Sequence, residues 1–101
     1  MPTKEDVMIE LEDVYDPELM VNIVDLGLVY DVIVNDKAVV VKMTLTSPGC
    51  PVGPIIERDI VEHVKMLDDV ESAAVQIVWS PPWSPEMMSD AAKLELGYAI
   101  Y

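Results

Sequence analysis

Residues 28–46 read LVYDVIVNDKAVVVKMTLT, and this stretch decides the fold. Leu28–Val34 and Ala38–Thr46 are rich in β-branched residues, and Asn35-Asp36 between them suits a tight turn with positive φ. The spacing predicts a hairpin. Alternation along the returning strand puts Val39, Val41, Met43 and Leu45 on one face and Val40, Lys42, Thr44 and Thr46 on the other.

Next comes Ser47-Pro48-Gly49-Cys50-Pro51-Val52-Gly53-Pro54, a run of turn residues. Pro51 and Pro54 both fit the first turn of a helix, where a missing N–H costs nothing. Ile56, Ile60, Val64 and Leu67 then recur at helical spacing, and the helix is expected to close near Asp68-Asp69. Ser72–Trp79 (SAAVQIVW) is a third strand. Upstream, Thr3 caps a helix carrying Val7, Leu11, Val14 and Tyr15 on one stripe, which Asp16-Pro17 ends. Glu18 to Gly27 is a connection apolar enough to lie against the core. Past Pro81-Pro82, the segments from Ser84 and Ser89 start short helices, and Gly97 is a C-terminal cap. The expected architecture is α/β in the two-layer α+β sense, in the order α-β-β-α-β plus short C-terminal helices. A mixed three-stranded sheet carries its helices on one face.

The chain has 101 residues and 51% hydrophobic content, which suits a single domain over 1–101. Nineteen Asp and Glu against six Lys and Arg give a net charge of −13. Phosphate neutralisation needs clustered Lys and Arg, and here they are scattered, so nucleic acid is a poor partner. Anionic membrane surfaces are disfavoured for the same reason. The N-terminus lacks the apolar run of a secretory signal, and one cysteine forms no internal disulfide. A cytoplasmic location is expected.

Cys50 stands where a strand gives way to a helix start. Backbone N–H groups and the positive end of the helix dipole favour a thiolate there. A packed, inert thiol is the competing reading. Thr46, at the strand end, and Thr44, on the same face, are companions of the thiol or simply good strand residues. Asp25 and Glu18 could each serve iron as a hard oxygen ligand, act as a base, or remain a solvated loop charge. His63 lies thirteen residues along the helix from Cys50, roughly 20 Å at 1.5 Å per residue, too far to act as its base. A zinc site needs three or four protein ligands and an iron–sulfur cluster usually four thiolates. With one thiol per chain, a metal on Cys50 must be shared across a homodimer, completed by external thiols or a partner, or held only transiently. Trp83 sits with Trp79, Met87 and Met88 in an apolar C-terminal cluster, read as packing or as a partner-docking surface.

Three spaced motifs carry a resemblance. They are Asp16-Pro17-Glu18 with Asn22-Ile23-Val24-Asp25-Leu26-Gly27-Leu28-Val29-Tyr30, then Met43 to Pro51, then Pro81 to Asp90. Together they resemble the iron–sulfur cluster assembly domain family, whose members include SufT- and PaaD-like proteins and the eukaryotic cytosolic iron–sulfur targeting factors. The resemblance implies a non-enzymatic maturation factor with Cys50 as its functional thiol and metal-binding residue. Asp25 and Thr46, then Glu18 and Thr44, would support it. Its cofactor would be iron or an iron–sulfur cluster, carried transiently, and its partners iron–sulfur apoproteins and assembly scaffold proteins. The alternative within the same family is a metal-free adaptor that recruits clients. The chain lacks the cysteine-rich extension of PaaD-type members, which favours the SufT-like role. Met20 departs from relatives that often carry proline or glycine there.

Overall fold

The computed structural model of the protein describes residues 3–45 and 51–97. Helix α1 (Lys4–Leu11) opens on a reciprocal capping box. The Thr3 hydroxyl accepts from the Asp6 N–H, and the Asp6 carboxylate accepts from the Thr3 N–H, both at 3.1 Å. The helix ends at Leu11 rather than at Tyr15. Glu12 and Asp13 follow a last turn with no basic residue, so negative charge meets the negative end of the helix dipole. Val14 keeps its expected burial without helical geometry, while Tyr15 is half exposed.

Tyr15 instead opens β1 (Tyr15–Asp16), which pairs antiparallel with β2 (Val21–Asn22). This small hairpin lies within what the sequence presents as helix end and connection. The connection's apolar residues do enter the core: Val21, Ile23 and Leu26 are buried. Next come β3 (Val29–Asn35) and β4 (Ala38–Met43), turned at Asp36 with φ +56°. The chain continues through α2 (Gly53–Lys65) to β5 (Ser72–Ile77), then a 3₁₀ turn at Pro85–Met87 and α3 (Asp90–Glu95).

The three-stranded sheet has the order β3-β4-β5, antiparallel across the first pair and parallel across the second. The expected mixed sheet is therefore present. Val32, Val39, Val41 and Met43 are buried on its inner face together with Val7 and Leu11 of α1 and Ile56, Ile60 and Val64 of α2. The outer face is partly open, with Ile33 and Ala74 exposed and Val40 and Lys42 half-buried. One residue breaks the alternation. β4 ends at Met43, and Thr44, expected beside Lys42 on the polar side, is fully buried. Its N–H bonds the Leu28 carbonyl at 2.8 Å, one step beyond the Val29–Met43 pair of the β3–β4 ladder.

The two long helices are tied by His63, whose Nδ1 lies 3.0 Å from Glu10 Oε1. His63 is thus a structural residue of the α1–α2 contact. Among the described residues, no helix is long and apolar enough to cross a membrane.

At the open side of α1, Lys4 Nζ lies 2.9 Å from Asp31 Oδ1. The hydrogen bond from Lys4 and another from the Val32 N–H hold the Asp31 carboxyl below its ordinary range, against a smaller opposing effect of desolvation. A depressed folded value stabilises the fold above the unfolded carboxyl's titration, near about pH 4, and loses that contribution as pH falls through the folded value. Asp31→Asn should therefore give a small drop in Tm at neutral pH that fades below about pH 4. Thermal melts of both proteins across that range check it, and a deficit that persists in acid contradicts the ion-pair account.

Candidate functional site

The site is built on the loop between β2 and β3, and Asp16 prepares that loop. Its side chain is only 4% exposed, and Oδ1 accepts from the N–H groups of Glu18 at 2.8 Å and Leu19 at 3.2 Å. The Asp16 carbonyl accepts from Met20 N–H at 2.7 Å, closing the turn. Glu18 consequently stands at an exposed hairpin tip. Met20 has φ +58°, a left-handed conformation that costs a non-glycine residue about 1 kcal/mol. Glycine fits this position easily; proline, locked near φ −65°, does not.

Asn22 and Asp25 then close on each other. Asn22 Nδ2 donates to Asp25 Oδ2 at 2.7 Å, and the Asp25 N–H donates to Asn22 Oδ1 at 2.9 Å. The second bond matches the side-chain-to-backbone half of a helix capping box at the same three-residue spacing, while the first joins the two side chains. Together they fix the carboxylate without a cation and leave Asp25 partly open to solvent. Neither Asn22 nor Asp16 stands out as a site residue in the sequence, although the Asn-x-x-Asp spacing is a readable signal for the first.

Residues 79–97 pass back over this loop as a strap. The Ser89 N–H donates to the Asp25 carbonyl at 2.7 Å while its hydroxyl caps α3 through Ala92 N–H. Trp83 Nε1 donates to the Leu26 carbonyl at 2.8 Å, and Tyr30 Oη to the Pro81 carbonyl at 2.8 Å. Trp83 is half-buried by this arrangement, and Trp79, at 47%, is the more exposed tryptophan. Gly27, at φ +75°, lies under the Met87 backbone so closely that a Cβ would fall 2.4 Å from the Met87 carbonyl oxygen.

The other half of the site is the start of α2. Its first turn carries no acidic side chain, and Val52 at the N-cap makes no side-chain capping bond, so the helix brings no side chain of its own to neutralise its positive dipole end. Gly53 is buried against Leu45, whose Cδ1 would meet a Cβ at 2.9 Å. Thr44 joins the two halves through its bond to Leu28, and its hydroxyl makes a long 3.5 Å contact to the Leu45 carbonyl. Cys50 and Thr46 lie outside the described residues. The structure thus places Asp25 and Thr44 on neighbouring segments and Glu18 at the hairpin tip. Among the described residues, no three His, Cys, Asp or Glu side chains gather to hold a metal ion.

Comparison with known proteins now adds an independent line. The model of a family described as iron–sulfur cluster assembly protein matches residues 4–77. The chain is 48% identical over 95 residues to the Fe-S protein maturation auxiliary factor YitW of Bacillus subtilis, covering 93% of each. It is 51% identical over 85 residues to the Fe-S protein maturation auxiliary factor SufT of Staphylococcus aureus, covering 83% of this chain and 97% of that one. Among solved structures, the domain of unknown function DUF59 from Bacillus anthracis matches with a TM-score of 0.87 at 43% identity, over 95% of this chain and 92% of that one.

Proposed function

Because the chain belongs to the iron–sulfur cluster assembly protein family, we propose that it matures iron–sulfur proteins by holding iron or a cluster transiently on Cys50 and passing it to apoproteins. The observation that carries this reading is the shape of the ligand supply. The chain has one thiol, and Asp25, a carboxylate of the candidate site, is held in place by Asn22. Cargo on one thiol must take its remaining ligands from outside, from a scaffold, a second copy or the client itself. Such cargo leaves easily. The dipole of α2 favours the thiolate form of a cysteine placed beside its first turn.

Loading releases the thiol proton, to solvent or to Asp25, as the iron–thiolate bond forms. Delivery exchanges that bond for one to a client thiolate, and Cys50 regains a proton; no oxidant or reductant is required. In this reading Asp25 offers an oxygen ligand to the cargo or accepts the thiol proton, and Thr46 and Glu18 support it. Thr44 contributes by joining the two halves of the site. The work is done in the cytoplasm on iron–sulfur apoproteins and assembly scaffolds, and it is transport rather than catalysis.

Anaerobic incubation with ferrous iron and sulfide, comparing the wild type with Cys50→Ser, tests the proposal. The wild type should retain iron after desalting, and Cys50→Ser should lose nearly all of it with its melting temperature unchanged. Equal iron in both proteins removes Cys50 from the role. Iron in neither favours the metal-free adaptor.

A further inference from the structure

A shallow hollow of about 190 Å³ lies between the β1–β2 hairpin and α3, on the face of the hairpin that carries Tyr15 and Asn22. Val21 and Ala92 contribute buried apolar lining, and Tyr15 and Met20 line it with large apolar side chains that are 50% and 71% exposed. Asp25 and Glu95 supply carboxylates, and none of the described residues lining the hollow is basic. We infer that this hollow docks a partner protein through an arginine flanked by apolar residues.

Charge complementarity selects that occupant. A second copy of this chain would bring another net charge of −13 to a surface already lined by carboxylates. A guanidinium meets the surface on every side: its plane stacks on Tyr15, its fork pairs with Glu95 or Asp25, and its methylenes lie along Met20. Lysine offers a point charge without the stacking plane.

Met20 supplies a second, independent observation. Glycine would relieve the left-handed backbone at φ +58°, yet the chain keeps there an apolar side chain that is 71% exposed and contributes nothing to the core. Strain retained at an exposed residue points to use of its side chain. The inference rests on the proposed function only in taking the partner to be a client or an assembly protein; it requires neither iron nor Cys50.

The test uses the full chain, free of metal, and fluorescently labelled decapeptides with a central Leu-Arg-Leu, Leu-Gln-Leu or Leu-Glu-Leu, at about 0.15 M salt. Fluorescence polarisation should show the arginine peptide binding at least about tenfold more tightly than the glutamine peptide. Tyr15→Ala and Met20→Gly should each weaken it by about five- to tenfold, and Glu95→Gln by less. Met20→Gly should meanwhile keep or raise the melting temperature, which separates loss of docking from loss of fold. The inference is overturned by no measurable binding, by equal binding of the glutamine peptide, or by arginine binding that ignores Tyr15→Ala and Met20→Gly, since that is diffuse attraction to an acidic surface. Sedimentation showing a dimer that Met20→Gly disperses would assign the hollow to a second copy instead. Because no iron is present, failed docking leaves the iron proposal standing, and failed iron uptake leaves docking standing.

Discussion

Gly27→Ala is expected to destabilise the protein by about 3–4 kcal/mol and to lift the strap off the site loop. Two costs add. At φ +75° any side chain is strained by about 1–2 kcal/mol. The new Cβ would also sit 2.4 Å from the carbonyl oxygen of Met87 and 2.8 Å from its carbonyl carbon. Both are backbone atoms, so no rotamer change relieves the clash. Either the loop or the strap must move, and the bonds from Trp83 to Leu26 and from Ser89 to Asp25 are then stretched. Urea unfolding gives the energy, and tryptophan emission reports the displaced indole. Gly97→Ala is the matched control. Its φ is +79°, but a Cβ meets nothing within 4 Å, so only the conformational cost, about 1 kcal/mol, should appear. Equal effects from the two variants would show that the Met87 contact does not matter.

Ile60→Ala should cost about 3 kcal/mol, within the range for emptying a closed core position. Ile60 is fully buried between α2 and the sheet, with Ile56 and Val64 on the same stripe. For a domain whose whole stability is roughly 5–15 kcal/mol, that is a large fraction. Ile55→Ala on the same helix removes the same atoms from a position 42% exposed and should cost well under 1 kcal/mol. Calorimetric melts of the pair measure how firmly α2, which begins just after Cys50, is fastened to the sheet. A similar loss from both variants would mean that the helix does not pack as described.

Periodicity carried most of the architecture, because β-branched alternation at 29–43 and the Ile56–Ile60–Val64 stripe each satisfy one geometry only. It failed at Val14 and Tyr15. Apolar spacing there announced burial, which Val14 has, but not conformation, because charge at Glu12 and Asp13 had already ended the helix. It failed again at Thr44, a polar residue just past the end of β4 that is nonetheless fully buried. Asp25 was legible as a candidate because carboxylates beside a Leu-Gly turn are conspicuous. What holds its backbone from across the chain was not. The partners of Asp25, Leu26 and Gly27 come from Ser89, Trp83 and Met87, and nothing local in a sequence announces a contact across sixty residues. Cys50 and Thr46, the other half of the reading, lie outside the described residues.

The strap also orders events in time. A chain made at about 5–20 residues per second reaches Ser89 roughly 3–13 s after Asp25, the sixty-four residues between them (89 − 25) setting the delay. Until then the loop lacks the Ser89 and Trp83 bonds that fasten its backbone. A nascent chain therefore carries the Asn22–Asp25 pair on a loop whose backbone is not yet fastened from above. The loop reaches its final backbone geometry only late in synthesis, once the C-terminal segment has been made.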